Sequence, residues 1–578
     1  MLKLSLARAG KSVFHKSPLR TRGADIVQGL KFSSSKAFPR HRTKFPTPLK
    51  VTGGLGITGA VLYFTNQIFH DTTKNTISIC ERVGVVTVAT FRCFKLYKDA
   101  LDAEYHTPRD RELALKRTHK RAAYITLKAL ETNGGIFIKL GQHITALTYL
   151  LPEEWTSTMI PLQDRCPQST IEEIREMFKS DLDVSLDEMF SDFSVEPVGV
   201  ASLAQVHMAT LRNTGQKVAV KVQHPSLKKF VPLDVKLTQL VFALMYKVFP
   251  EYPLTWLGDE MQSSIFVELD FTNEARNAQR TDEFFKNRRS ITALRIPQIV
   301  SANKRILIME CVIGSRLDNI QYLKTNKIDP AEVSSCLSHI FNSMIFEPGA
   351  SLHCDPHGGN LAIRALPKTQ SKNGHNFEIV LYDHGLYRDI PLEMKRDYSH
   401  FWLAVLDKNV PEMKKYAEKF AGIEGEQKFK IFLSAITGRD PNTAMNYDIS
   451  SRRTEQESAS IQTQLHSTEG ALEDLMSILS HMPKIVLLIL KTNDLTRHLD
   501  EDLKSPLGPE RTFLILARYC AETVYLEAKA QIPLSTKKYS LGWLSQTISA
   551  WWSYQKRLNS LLVYDVYMMF ANFRKSFS

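Results

Sequence analysis

Between Pro197 and Val222 the sequence alternates with a period of two, and this limits the possible folds more than any other feature. Val206, Met208 and Thr210 alternate with Gln205, His207 and Ala209, and Asn213-Thr214-Gly215 then offers a turn. The run KVAVKV follows, with Val218, Val220 and Val222 on one face and Lys217, Ala219 and Lys221 on the other. Alternation on both sides of a short, glycine-containing turn is the signature of a β-hairpin with one buried face. The flanks read mostly as helix. The chain must therefore close a sheet within a largely helical molecule, an α+β arrangement.

The helical flanks have their own punctuation. Thr107-Pro108 with Asp110 reads as an N-cap with proline at the first helical position, opening a helix that runs to Leu130. Gly134-Gly135 breaks it, and a second helix is expected from Ile136 to Leu150, stopped by Pro152. On that helix Lys139 and Gln142, three residues apart in KLGQ, share a face. Downstream, Glu268–Asn277 (ELDFTNEARN) reads as helix, Arg305–Glu310 (RILIME) as strand and Ala331–Phe346 as helix. HCDPHGGN, His353 to Asn360, is a loop, and LAI and EIVLYD are strands around a polar insert at Arg364–Asn376. Beyond about Asp389 the chain reads as helical to its end, with a polar loop at 440–466.

Taken alone, HCDPHGGN reads equally well as a polar turn or as part of a phosphate-transfer site. The order of the pieces favours the second. Phosphoryl transfer needs positioning and charge stabilisation more than covalent chemistry. Lys221, on an internal strand in VAVK, is placed to hold nucleotide phosphates. Glu274, on a following helix, is the candidate to hold that lysine. Asp355 supplies a base or substrate-orienting carboxylate, and Asn360, five residues on, supplies an amide oxygen for Mg²⁺. Asp383, after the apolar strand IVLY and before His384-Gly385, is the second candidate ligand, and hard oxygen donors suit Mg²⁺. Glu310, Cys311 and Val312, after a strand, could present backbone groups to adenine. Hairpin, lysine strand, acidic helix, hinge strand, Asp-x4-Asn loop and Asp-x-Gly together predict a two-lobed, kinase-like fold binding ATP and Mg²⁺.

The net charge of +13 would suggest nucleic acid if it lay on a folded domain. Residues 1–50 instead hold twelve Lys/Arg and one acid, Asp25, while the remaining chain has 62 basic and 60 acidic side chains. Nucleic acid is therefore not an expected partner. The Arg-, Lys- and Ser-rich tail fits a mitochondrial transit peptide over residues 1–48, a disordered basic tail being the plainer alternative. Val51–Phe69 is uncharged and long enough to cross a hydrocarbon core as one helix. Stop-transfer there would leave the large C-terminal part in the intermembrane space. Seven scattered cysteines with no CxxC pair suggest neither a zinc site nor a disulfide framework. The run Leu541–Gln555 holds three tryptophans and is too short to span a bilayer. It is expected to pack as an aromatic helix on the helical lobe, with a membrane surface as the alternative.

Over roughly residues 110–440 these motifs resemble the UbiB or aarF-domain-containing atypical kinase-like family. KLGQ (Lys139–Gln142) is similar to its Lys-x-Gly-Gln motif, and Glu268-Leu269-Asp270 to its Glu-x-Asp motif. PVGVASLAQVH resembles the alanine-rich loop that replaces a kinase glycine-rich loop, which implies that Gly199, Val200, Ala201 and Ser202 border the nucleotide. HCDPHGGN and DHG resemble the catalytic and metal-binding loops. Gly199 and Val200 stand where alanines are usual, and His384 where phenylalanine often is. The latter resembles the mitochondrial branch of aarF-domain-containing kinase one and its fungal relatives. That branch implies a protein of the mitochondrial inner membrane acting in coenzyme Q and phospholipid homeostasis, with inner-membrane lipids and coenzyme Q or its precursors as partners. The resemblance also implies that Lys139 is part of an internal lid, pairing with Glu268 or Asp270 and blocking protein substrates.

The expected plan is a helical extension over 78–165, a kinase-like N-lobe over 166–312, a catalytic C-lobe over 313–440 and a helical region over 441–578. Two other functions fit the same residues. A small-molecule phosphotransferase of the aminoglycoside or choline kinase kind would use His353, Asp355, His357 and Asn360, but has no use for KLGQ. A pseudokinase scaffold would bind nucleotide or lipid without turnover.

Overall fold

The computed structural model describes residues 67–146, 151–163, 166–250, 255–367, 374–437, 478, 482–504, 508–535 and 537–575. The transit-peptide stretch, residues 51–66 of the expected membrane span and the polar stretch at 440–466 lie outside them. Among the described residues no helix is long and apolar enough to cross a membrane. The boundary between the two compact units of the chain falls after Gly84, within the helix Gln67–Leu101. The following paragraphs concern the unit that starts at Val85.

The period-two segment forms the sheet it predicts. Strands β1 (Phe190–Phe193), β2 (Gly199–Val200), β3 (Ala204–Leu211), β4 (Lys217–Gln223), β5 (Leu294–Arg295), β6 (Ile299–Ala302) and β7 (Ile306–Glu310) come first. Strands β8 (Leu352–His353), β9 (Leu361–Ala365), β10 (Phe377–Leu381) and β11 (Tyr387–Arg388) follow. The main sheet runs β1-β3-β4-β7-β6, with β2 beside β3. The β3–β4 hairpin pairs Val206 with Lys221 and His207 with Val220, and β4 then pairs Lys221 with Leu307 on β7. β4 is therefore flanked on both sides, which fixes the backbone carrying Lys221. Val218, Val220 and Val222 are fully buried against Ile174, Phe178, Ile306 and Ile308, so the apolar face of the alternation is the face that packs.

The second lobe holds two small sheets. Three strands run β5-β10-β9, and β8 pairs antiparallel with β11. The helix Pro330–Phe346 packs beside them, with Asp329 capping its start and proline at its first turn. Its core joins Leu337, Ile340 and Phe341 to Ile363 on β9 and Ile379 on β10. A larger cluster, around Tyr398, Phe401, Phe420 and Phe432, ties Leu392–Leu406 and Val410–Ala421 to Lys484–Leu503 and Gly508–Ser535. The C-terminal region is thus built into the second lobe rather than standing apart from it.

The extension begins as its sequence implies. Thr107 accepts the Asp110 amide at 3.1 Å and caps Pro108–Asn133. Gly134 and Gly135 take positive φ, 64° and 56°, a conformation that favours glycine. The KLGQ helix, Ile136–Ala146, follows. Its glycine has a packing reason: a Cβ on Gly141 would lie 2.1 Å from Leu162 Cδ1, so only glycine lets this helix meet the turn Ile160–Gln163 at that distance. One expected helix is in fact two. Glu268–Asn277 breaks between the helices Thr255–Glu268 and Phe271–Phe285, because Asp270 is extended and its carboxylate accepts the Thr272 amide at 3.0 Å. An N-capping aspartate inside a helical pattern starts a new helix.

Candidate active site

The site is assembled around two lysines. Lys221, on the polar side of β4, donates to Glu274 Oε1 at 2.6 Å and lies 3.6 Å from Asp383 Oδ1. Its ammonium also sits 5.2 Å from the centre of the Phe271 ring. Burial alone would lower its pKa, but Asp383 and Glu274 outweigh burial and raise it to about 12. Burial and the neighbouring Asp383 raise Glu274 to about 7, against the pull of Lys221. Of the two carboxylates facing this lysine, Glu274 is the more buried, at 3% side-chain exposure against 34% for Asp383. For Asp383, burial is outweighed by Lys221 and by the Gly385 amide, which donates to Oδ1 at 2.8 Å, so its carboxyl lies far below the usual range.

Lys139, on the KLGQ helix, donates to Glu268 Oε2 at 2.8 Å and lies 4.0 Å from Asp355 Oδ2. Here too burial is outweighed, by Glu268 and Asp355, and the lysine is held well above its ordinary value. The His353–Asn360 loop is stitched to the Asp383 segment. His353 accepts the Asp355 amide on Nδ1 at 3.0 Å, so its proton is on Nε2, which donates to the Asp383 carbonyl at 3.0 Å. The Tyr382 amide donates to the Asn360 carbonyl at 3.0 Å. Asn360 Nδ2 donates to the Asp355 carbonyl at 3.1 Å, which makes Oδ1 the amide atom a cation would take. Lys221, Glu274, Asp355, Asn360 and Asp383 are thereby brought into one centre, with Lys139 and Glu268 at its edge.

Comparison with known proteins gives the family. The ABC1 atypical kinase-like domain matches residues 161–417. The chain is 52% identical to the ABC1 family protein MCP2 of Saccharomyces cerevisiae, over 97% of this chain and 98% of that one. It is 35% identical to AarF domain-containing kinase 1 of Drosophila melanogaster, over 83% of this chain and 90% of that one. The chain belongs to the ABC1/AarF atypical kinase-like family. Among solved structures, the Rv3197–erythromycin complex from Mycobacterium tuberculosis aligns with 69% of this ABC1 chain and 99% of its own, at 18% identity and a TM-score of 0.39.

Several expected site residues of the ABC1 chain have other work. Asp270 does not meet Lys139; it caps the helix that carries Glu274, and Glu268 alone of the Glu-x-Asp pair reaches the lysine. Gln142 turns away from the carboxylates: its Nε2 donates to the Leu162 carbonyl at 3.0 Å, and its oxygen accepts from Ser202 at 3.4 Å. That contact links the KLGQ helix to the loop of Gly199, Val200, Ala201 and Ser202. The loop is closed by its own bond, Ala201 amide to Ala204 carbonyl at 2.7 Å, and His224 holds the Ala201 carbonyl at 2.9 Å. At the expected hinge, the Glu310 carboxylate pairs with Arg295 at 2.6 Å and its amide donates to Gln298. The Val312 carbonyl accepts from the Tyr382 hydroxyl at 2.8 Å. The Glu310 amide and the Val312 carbonyl are thus engaged within the protein.

One residue at the centre was not expected. Lys491, on the helix Lys484–Leu503, donates to Asp355 Oδ1 at 2.9 Å. Its signal in the sequence is faint: a lysine directly after the apolar run IVLLIL, one turn from the buried Leu487 and Leu488. A groove of about 600 Å³ lined by Gln223, Leu227, Lys228, Leu269 and Lys304 contains none of the central carboxylates. The convergent charges mark the chemistry better than the size of an opening.

Two expectations about the rest of the chain also meet the structure here. The cysteines among the described residues are free thiols. The tryptophan-rich helix, Leu541–Lys575, packs on Gly508–Ser535 through Leu561 and a Tyr525–Tyr554 stack at 4.8 Å. Trp551 and Trp552 do not join that packing; they are 47% and 65% exposed.

Proposed function

We propose that this ABC1-family protein binds Mg-ATP at the centre described above and turns it over as an atypical kinase or ATPase, with the KLGQ helix restricting access. The observation that carries this reading is the convergence of Lys221, Glu274 and Asp383 with Asp355 and Asn360. No cluster of three His, Cys, Asp or Glu suited to a metal occurs among the described residues. That pattern suits Mg²⁺, which takes one or two protein oxygens and completes its shell with phosphates and water. The ionised Asp383 and the Asn360 amide oxygen fit that donor set, and the ion would neutralise phosphate charge when bound. The chain's own residues then have distinct tasks. Lys221 holds phosphate oxygens, Glu274 holds Lys221, and Asp355 orients the attacking hydroxyl or water and accepts its proton.

The lid reading rests on Lys139 reaching Glu268 and approaching Asp355 from outside the two lobes. It favours slow ATP hydrolysis over protein phosphorylation, and it also favours this family's chemistry over a small-molecule phosphotransferase, whose site has no use for such a helix. A pseudokinase scaffold draws support from the same contacts, since Asp355 faces two lysines. The basic N-terminal tail and Val51–Phe69 support a place in the mitochondrial inner membrane, with the large domain toward the intermembrane space. The exposed row Leu541, Leu544, Ile548, Trp551 and Trp552 supports contact with membrane lipid. Action in coenzyme Q and phospholipid homeostasis, with coenzyme Q or its precursors as partners, is the role we infer from the family resemblance.

Thermal melting with and without Mg-ATP tests the site. At a nucleotide concentration 100 times Kd, binding adds about 2.7 kcal/mol to stability. Asp383→Asn removes a full charge from the metal position and is expected to abolish the Mg-dependent gain while folding normally. An undiminished gain in the folded variant would remove Asp383 from the role, and wild-type protein without any gain would overturn nucleotide binding itself.

A further inference from the structure

We infer that Lys491 is a positioning residue for Asp355, so that the C-terminal helix Lys484–Leu503 is a working part of the catalytic centre. The inference rests on the phosphoryl-transfer reading above. It concerns a residue well outside the domain match, which ends at residue 417.

The geometry separates the two lysines that face Asp355. Lys139 is committed to Glu268 at 2.8 Å and stands 4.0 Å from Asp355 Oδ2. Lys491 donates to the other oxygen, Oδ1, at 2.9 Å. A carboxylate held by a charge-assisted bond on one oxygen can turn only about that bond, which aims the second oxygen. Oδ2 is then the atom left to take a proton from an attacking hydroxyl. Within the loop itself, His357 stands farther off, 3.8 Å from Oδ2.

The helix is fixed to the loop at further points, so the lysine is not a loose surface contact. The Thr492 hydroxyl, which donates to the Leu488 carbonyl at 2.9 Å, also lies 3.3 Å from the His353 carbonyl. A Cβ on Gly358 would touch Leu499 Cδ2 at 3.4 Å, so that leucine packs against the loop. Asn493 donates to the Tyr398 hydroxyl at 2.7 Å, and Ser334 donates to Asp500, tying the helix to the second lobe. Lys491 side-chain exposure is 18%, low for a lysine with no structural or chemical task.

The test uses full-length protein in four forms: wild type, Lys491→Met, Lys491→Arg and Asp383→Asn. ATP turnover is measured across ATP concentrations, and melting temperature with and without Mg-ATP. A positioning residue changes kcat and leaves KM alone. Lys491→Met is expected to lower kcat by about a hundred-fold, the scale of a misplaced catalytic group. KM should stay within about two-fold and the Mg-ATP melting shift should remain. Lys491→Arg, which keeps the cation, should recover most of kcat. If Lys491→Met does not fold, Lys491→Gln carries the same test. Unchanged kcat in a neutral variant would overturn the inference, as would a KM that rises in proportion to the loss or an arginine no better than methionine. Wild-type turnover no greater than that of Asp383→Asn would instead overturn the phosphoryl-transfer reading on which it rests.

Discussion

The two lysine sites are chemically alike and are built in opposite ways. Lys221 stands on a strand paired on both sides, and its partners come from the helix Phe271–Phe285 and from just past the end of β10, all within the matched domain. Lys139 stands on a short helix before that domain, and the cluster it joins draws on three further segments, ending in Lys491. The first site is held by a sheet that would form without it. The second exists only when separate helices dock. On the proposed reading, charge of one kind serves a fixed phosphate grip in one place and an adjustable closure in the other.

The largest difference should appear when each lysine is neutralised. Lys221→Met leaves the buried Glu274 without its counter-ion and beside a second carboxylate, Asp383, a change expected to cost about 3 kcal/mol in denaturant unfolding. Lys139→Met leaves Asp355 its bond from Lys491 and strands only Glu268, 14% exposed against 3% for Glu274, so a smaller loss of about 2 kcal/mol is expected. Equal losses would mean that the second site is as rigidly built as the first.

Legibility in the sequence follows the same division. The hairpin, Lys221, Glu274, Asp355, Asn360 and Asp383 were readable because strand alternation and loop spacing are local, and the structure brings all five residues together. The docking contacts were not local. Asp270 looked like a partner for Lys139, but a short aspartate before Phe271 satisfies the next helix's free amides instead. At the hinge, the engagement of the Glu310 amide by Gln298 and of the Val312 carbonyl by Tyr382 was equally unreadable, because both partners come from elsewhere in the chain. Lys491 was hidden because no periodicity tells a buried lysine where its counter-ion will be, and the helices Lys484–Leu503 and Gly508–Ser535, in a region that reads as a piece of its own, share the core of the second lobe.

The lid can also be disturbed without touching a charge. Gly141→Ala places a methyl 2.1 Å from Leu162 Cδ1, so the KLGQ helix or the Leu162 turn must move. Overpacking of this kind is expected to destabilise by about 2 kcal/mol. Because the displacement carries Lys139, nucleotide affinity should change with it, while a matching small change in the sheet (Val220→Ala) should alter stability alone. A Gly141→Ala protein with unchanged stability and affinity would show that the helix has room to spare.

The smallest expected effect lies between the two sites, at His384. Its Nδ1 accepts from the Tyr387 hydroxyl at 2.9 Å and its Nε2 donates to the Leu381 carbonyl at 3.2 Å, so the ring is neutral. Burial, followed by the nearby His353, lowers its pKa from 6.5 to about 3. The unfolded chain therefore binds a proton that the folded one refuses. This contribution is fully present above pH 6.5 and is lost as pH falls toward 3. His384→Phe forfeits both bonds and should cost about 1.5 kcal/mol at neutral pH. The gap between the two proteins should narrow on acidification, and a constant gap from pH 7 to pH 4 would mean that the ring is not held neutral.

The contrast between a fixed grip and an adjustable closure is tested most directly by Lys139→Arg beside Lys221→Arg. Both substitutions keep the charge and replace a compact ammonium with a planar fork. Self-phosphorylation and nucleotide affinity are measured on full-length protein in parallel with wild type. Lys139→Arg is expected to change nucleotide affinity or to release self-phosphorylation that wild type lacks, whereas Lys221→Arg should impair phosphate positioning and lower turnover. If Lys139→Arg matches wild type in both measurements, the KLGQ helix is a packed surface and not a lid.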